Sequence, residues 1–206
     1  MLYIIRHGQT DWNKAELVQG QTDIPLNEAG IKMAREAAIA YKDIHFDVCF
    51  SSPLVRAYET ARLMLDGRNI NIITDDRLKE ISFGEYEGSK RAVVDASNPV
   101  YPLFHTPESY QATGGAEGVE KICKRTGEFY LERVKPLLDD EKDVLIVGHG
   151  AMNCSLIRGI LNLPVEDFWS GMTGNCKLLK ITENGIEPGL EGEPLRIIKW
   201  ADLLNR

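Results

Sequence analysis

Cysteine is scarce in this chain: four of 206 residues. Cys49, Cys123, Cys154 and Cys176 form no CxxC pair and no zinc-type spacing, which disfavours a disulfide framework and a structural zinc. Cys49 and Cys154 fall in segments that read as buried strand and helix, and four free thiols point to a reducing compartment. Long apolar runs are missing as well. No stretch nears the roughly 20 residues that a membrane-spanning helix requires, and the N-terminus lacks the basic segment, apolar core and small-residue cleavage site of a signal peptide. A cytoplasmic chain with no membrane partner is expected. Positive charge is also in deficit, with 24 Lys and Arg against 31 Asp and Glu and a net charge of −7. Nucleic acid demands a broad basic footprint, so it is not expected as a partner. A small anion needs only a local gathering of cations, which the same total permits.

What is present is a globular composition, 43% hydrophobic and 27% charged, enough to bury one sizeable core. Two of the four histidines sit in the same local pattern. Leu2-Tyr3-Ile4-Ile5-Arg6-His7-Gly8 and Val144-Leu145-Ile146-Val147-Gly148-His149-Gly150 are both apolar runs closed by His-Gly and followed by a helical stretch. Such runs read as strands buried on both faces, as in parallel α/β sheets. Ligands of those sheets bind outside the carboxyl ends of the strands, so both imidazoles are expected at one functional edge.

The remaining chain alternates in the same way. A polar stretch over 9–25 leads to a helix opening at Asn27, with Ile31, Ala34, Ala38 and Tyr41 on one face. Residues 46–50 read as a strand. Ser51-Ser52-Pro53 then turns into a helix capped by Ser51 or Ser52, with Val55, Tyr58, Ala61 and Leu65 inward. A strand at 70–73, one long helix over 119–138 carrying Ile122, Phe129 and Val134, and a helix over 151–161 follow. Closing strands at 177–181 and 195–200 would form an edge hairpin across the turn-rich 184–194. The expected fold is a three-layer α/β/α architecture with a mostly parallel central sheet, in one domain spanning 1–206. Residues 82–118, irregular and rich in Pro, Gly and aromatics, read as a cap insertion over the carboxyl edge of the strands.

The chemistry follows from the neighbours of the histidines. Arg6 adjoins His7, and Arg56 begins a helix at the same edge. Two guanidiniums around an imidazole make a clamp for a tetrahedral dianion, because their planar forks donate paired hydrogen bonds to phosphate oxygens. Asn13 and backbone N–H groups near Gly8 and at nearby helix starts add neutral donors. One histidine must be neutral to attack phosphorus, while the other, cationic or donating, stabilises the developing charge. A departing alkoxide also needs a proton, and Glu80, just before the cap, is the best-placed carboxyl to give one and later to activate water.

These residues lie within a larger ordered set. Arg6-His7-Gly8-Gln9-Thr10 with Asn13, Ser52-Pro53-Leu54-Val55-Arg56-Ala57, Leu78-Lys79-Glu80 with Phe83-Gly84, and Gly148-His149-Gly150 resemble the motifs of the histidine phosphatase superfamily, phosphoglycerate mutase-like branch. Val18-Gln19-Gly20, Asp23 and Pro25-Leu26-Asn27 resemble it too. The resemblance implies that His7 is the phosphorylated nucleophile and Glu80 the proton donor. It implies a phosphate pocket of Arg6, Asn13, Arg56 and His149, with Gln19, Gly20 and Gly150 from the matching motifs, and it implies no metal or organic cofactor. One motif departs from the pattern: the branch often carries Gly-Gly-Glu-Ser, whereas this chain has Gly114-Gly115-Ala116-Glu117-Gly118, so Glu117 is displaced and reads either as a substrate contact or as an acidic residue favouring the helix N-terminus.

A mutase needs a second anion clamp in the cap. Residues 82–118 hold only Lys90 and Arg91 as cations, which read as a solvated helix face, against five carboxylates. The favoured activity is therefore a phosphomonoester hydrolase acting on a small phosphorylated metabolite, with mutase-type transfer or a non-catalytic phosphate-binding module as alternatives. Phe83, Tyr86, Tyr101, Phe104 and Tyr110 either meet a ring-bearing leaving group or form the cap's own core, and His105 is a further candidate for substrate contact. The apolar segment 195–204, with Trp200, reads as core or as the edge contact of a homodimer.

Overall fold

The computed structural model describes residues 1–90, 95–182 and 185–189. Strands β1 (Leu2–Arg6), β2 (Val48–Ser51), β3 (Ile72–Thr74), β4 (Val144–Gly148), β5 (Leu178–Thr182) and β6 (Gly185–Pro188) form a sheet in the order β3-β2-β4-β1-β5-β6. The first four are mutually parallel, and β5 and β6 close one edge antiparallel. Side chains alternate across the sheet with the two-residue period of a strand. Leu2, Ile4, Phe50, Val144, Ile146 and Leu179 enter one apolar cluster; Ile5, Cys49, Leu145, Val147 and Leu178 enter the other.

The helices are α1 (Asp11–Lys14), α2 (Glu28–Ala40), α3 (Val55–Met64), α4 (Tyr101–His105), α5 (Val119–Phe129), α6 (Lys135–Asp139) and α7 (Gly150–Ile160). Ala34, Ala37, Ala57 and Ala61 seat α2 and α3 on one face of the sheet. Ile122, Phe129, Leu156 and Ile157 place α5 and α7 on the other. The layers are therefore α/β/α, and the central strand β4 is buried along its whole length. Two glycines let α2 abut the loop after β1: a Cβ on Gly8 would lie 2.6 Å from the Gly30 carbonyl oxygen, and one on Gly30 would lie 2.0 Å from that of Gln9.

Three expected elements differ. Helix α3 presents Arg56, Ala57, Thr60, Ala61 and Met64 inward, leaving Val55 and Tyr58 exposed, because the helix is rotated to bring its arginine into the sheet edge. Its N-cap is Leu54, not Ser51 or Ser52, and Asp23 caps it from afar by accepting the Val55 N–H at 2.7 Å. The long helix over 119–138 is divided by a π-helical turn, Tyr130–Val134, ahead of α6. Pro136 has no N–H to return to the preceding turn, and the wider turn keeps Val134 buried with Phe129. The partner of β5 is β6, drawn from the stretch read as turn, where Thr182 pairs with Gly185. The 195–200 strand and the 195–204 segment lie outside the described residues.

Between β3 and α5 the chain runs through 3-10 turns and the short α4. Its aromatics extend the core of that face of the sheet: Phe83 stacks on Phe104 at 6.0 Å, Phe104 stacks on Trp169 at 5.4 Å, and Tyr101 stacks on His105 at 3.9 Å. Phe83, Phe104 and Tyr110 are thus packing residues, and the Trp169 indole N–H donates to the Leu103 carbonyl. Lys90 is not helical but bridges to Leu17, and Arg91 lies outside the described residues. Among the described residues no helix is long and apolar enough to cross a membrane.

Asp23→Ala is expected to lower the unfolding free energy by about 1 kcal/mol, the usual effect of losing a helix cap. Urea denaturation measures it, and an unchanged midpoint would show that α3 does not depend on this bond.

Candidate active site

The site lies where β1 and β4 end side by side, Arg6 opposite Gly148 in the parallel register. The next residue on each strand is a histidine, and the two rings sit with centroids 5.1 Å apart, tilted by 60°. Both are essentially without solvent exposure. The His7 Nδ1 lies 2.7 Å from the Gly8 carbonyl oxygen. A carbonyl can only accept, so Nδ1 carries the proton and Nε2 keeps its lone pair. Burial, then the charges of Arg56 and Arg6, hold the His7 pKa well below its ordinary value. His149 is shifted the same way by burial, then Arg56 and His7. Among the described residues neither ring nitrogen of His149 has a partner.

Arg56 is buried completely. Its Nη1 donates to the Thr22 carbonyl at 2.8 Å and its Nη2 to the Gly20 carbonyl at 2.7 Å, while Nε has no partner. Burial pulls its pKa down to about 10. Arg6, half-buried, donates through Nη1 to the Thr173 carbonyl at 3.3 Å, and its enclosed Nε is likewise without a partner. Among the described residues neither arginine forms an ion pair with a carboxylate. Two guanidinium N–H groups and the single N–H of a neutral His149 therefore await an acceptor beside the His7 lone pair.

Glu80 is half-buried and anchored at the start of α7. Its Oε1 accepts the N–H groups of Ile81 at 2.9 Å and Met152 at 2.8 Å, and Oε2 accepts that of Ala151 at 3.2 Å. Its charge acts on both Arg6 and Arg56. Gly150 opens the same helix, where a Cβ would sit 3.1 Å from Met172 Cε and 3.5 Å from Glu80 Oε2. Asn13 stands in α1, its side-chain oxygen spent on a capping box with Thr10, which leaves only its NH₂ for a ligand. Gln19, buried, accepts from the Thr10 hydroxyl at 2.9 Å. Gly20 serves the site through Arg56: at φ +55 it adopts a conformation suited to glycine and aims its carbonyl at the guanidinium.

The role of Glu87 was not legible in the sequence. Its carboxylate accepts the N–H groups of Gln21, Thr22 and Phe83 and the Thr22 hydroxyl, so it fixes the loop whose carbonyls hold Arg56. No sequence period marks such a residue, because it acts on main-chain groups far away in the chain. Glu117 neither lines the histidines nor begins a helix: it is buried in an ion pair with Arg125 at 2.8 Å. His105 lies against Tyr101.

The family model of the histidine phosphatase superfamily, branch 1, matches residues 2–192. A 2,3-bisphosphoglycerate-dependent phosphoglycerate mutase from Cytophaga hutchinsonii is 34% identical over 170 residues, covering 81% of this chain and 80% of that protein. The structure of mycobacterial glucosyl-3-phosphoglycerate phosphatase complexed with VO3 superposes with a TM-score of 0.76 at 30% identity, covering 86% and 90% of the two chains. The crystal structure of a phosphoserine phosphatase mutant from Entamoeba histolytica in complex with phosphoserine has a TM-score of 0.75 at 27% identity, covering 91% and 93%.

The depressed histidines make stability depend on pH. The unfolded chain protonates both imidazoles near their ordinary value of 6.5, whereas the fold resists doing so. Stability is thus complete above about pH 6.5 and falls as the pH is lowered through it. Thermal unfolding in phosphate-free buffer is expected to give a constant midpoint at pH about 7 to 8 and a decline below, with a shallower decline in His149→Asn. An unchanged decline in that variant would assign the acid sensitivity elsewhere.

Proposed function

Since the chain belongs to the histidine phosphatase superfamily, branch 1, we propose that it hydrolyses a small phosphomonoester through a phosphohistidine formed on His7. The observation that carries this reading is the His7 Nδ1 contact with the Gly8 carbonyl, which leaves a neutral nucleophilic Nε2 facing donors that lack protein acceptors.

Nε2 attacks phosphorus in line, forming the N–P bond as the ester P–O bond breaks. Glu80 gives its proton to the departing oxygen. A water molecule then loses a proton to Glu80 and attacks phosphorus, the N–P bond breaks, and inorganic phosphate leaves with His7 neutral again. The Nε–H groups of Arg6 and Arg56, an N–H of neutral His149 and the Asn13 NH₂ hold the phosphoryl oxygens through both steps, stabilising charge as it develops. Gly150 adds its N–H at the helix start, Gln19 braces Thr10, and Gly20 braces Arg56.

Hydrolysis is favoured over mutase-type transfer by the cations of the segment above the site. Among the described residues of 82–118, Lys90 is the sole Lys or Arg, and it is exposed and paired through its backbone with Leu17. No second clamp for a substrate carboxylate or phosphate is evident there. This segment, read as a cap within one domain, sets the leaving group. The mutase reading is supported by the relative from Cytophaga hutchinsonii, which carries that name.

Acid-labile phosphate is expected on His7 after rapid quenching with labelled substrate, and His7→Ala should lose both the label and turnover. Label retained in that variant would end the covalent route through His7. With 3-phosphoglycerate, released phosphate should exceed isomerised product; the reverse ratio would overturn the hydrolase reading.

A further inference from the structure

Arg125 lies on α5, outside the phosphate clamp, yet its guanidinium is wholly committed. Nε donates to Glu117 Oε1 at 2.8 Å and Nη2 to Glu117 Oε2 at 2.9 Å. Nη1 donates to the carbonyls of Arg77 at 2.6 Å and Lys79 at 2.7 Å, and Nη2 also reaches the carbonyl of Glu80 at 3.1 Å. These contacts use all five N–H donors of an arginine, so none is left for a ligand. Glu117 grips the other side of the same segment. Its backbone N–H donates to the Ser82 carbonyl at 2.7 Å, and its carboxylate accepts the Ser82 N–H at 3.4 Å.

We propose that Arg125 and Glu117 are positioning residues for the proton donor, a reading that rests on the role given to Glu80 above. The chain on both sides of Glu80 is fastened to one buried ion pair, and its carboxyl is thereby set against the N–H groups at the start of α7. The planar fork is what the task requires. Three carbonyls, of Arg77, Lys79 and Glu80 where a 3-10 turn ends, converge on one edge of it, and a lysine ammonium has fewer donors and no fixed plane. The pair also explains the displaced glutamate in Gly114-Gly115-Ala116-Glu117-Gly118: its partner is Arg125, eight residues on, rather than the substrate.

A group that acts through the leaving-group proton is detected by changing the leaving group. Dinitrophenolate departs without protonation, whereas an alkoxide needs it. The experiment compares kcat/KM for 2,4-dinitrophenyl phosphate with that for the best alkyl phosphate of a panel containing phosphoserine, glycerol 2-phosphate and 3-phosphoglycerate. Glu80→Gln should lose about 100-fold on the alkyl ester and little on the aryl ester. Arg125→Lys and Glu117→Gln should show the same selectivity at about tenfold, and Arg125→Lys should add no further loss in the Glu80→Gln background. Equal loss on both esters, or no loss, in the two pair variants would overturn the positioning role while Glu80→Gln keeps its selectivity. A Glu80→Gln variant without selectivity would instead overturn the proton-donor reading. Failure of both pair variants to fold would make the pair purely structural and equally overturn the inference.

Discussion

A guanidinium with no exposed surface has to be solvated by the protein, and Arg56 is solvated by main-chain carbonyls instead of a carboxylate. Taking such a cation out of water costs several kcal/mol, and carbonyl dipoles offset part of that while leaving the positive charge uncancelled. The surroundings are then constrained in a closed circuit. The loop carrying Gly20 and Thr22 must hold its shape, and Glu87 holds it through main-chain N–H groups. Asp23, one residue further, returns to cap the helix on which Arg56 rides. Burial, and then this charge together with that of Arg6, hold both histidines well below their ordinary pKa. On the reading proposed above, a dianion is the complement to such a site, and the same field that recruits it helps keep the nucleophile neutral.

The strands were legible because a buried parallel strand writes itself as a short apolar run, and the two His-Gly closures marked the edge where they end. Fold class and the grouping of His7, His149, Arg6 and Arg56 follow from those local signals. What escaped was set by distant partners. The apolar stripe of α3 placed Val55 and Tyr58 inward with Ala61 and Leu65; the last two are buried, but a helix that must deliver a buried arginine turns Val55 and Tyr58 to solvent. Serines beside the helix start read as caps, whereas Asp23 supplies the cap from another loop. A turn-rich stretch hid β6, because Gly and Pro are tolerated in the outer strand of a sheet. The helix pattern over 119–138 continued through a proline that the structure absorbs with a π turn. Glu117 stood out as a displaced motif residue, but what it and Glu87 do was not readable, since each acts on backbone groups far away in sequence.

The two faces of the site are built differently. Below, β1 and β4 fix the imidazoles in a sheet register in which a one-residue slip would exchange every side chain between two differently packed apolar clusters. Above, a segment with little regular structure is organised by its own aromatic stack. On the reading proposed above, the lower face defines what is done to phosphorus and the upper face what is attached to it, so the reaction is built on the buried centre of the sheet.

The supports of Arg56 are carbonyl oxygens, a group that every residue type carries. Substitution at Thr22 can change the side chain and leave the oxygen where it is. The site is consequently insulated from ordinary drift in the loop beneath it. Gly20 is the exception, since its backbone conformation and the Glu87 carboxylate against it leave no room for a Cβ. A lineage could therefore rewrite the composition of this loop while keeping Arg56 in place, as long as that single glycine stays.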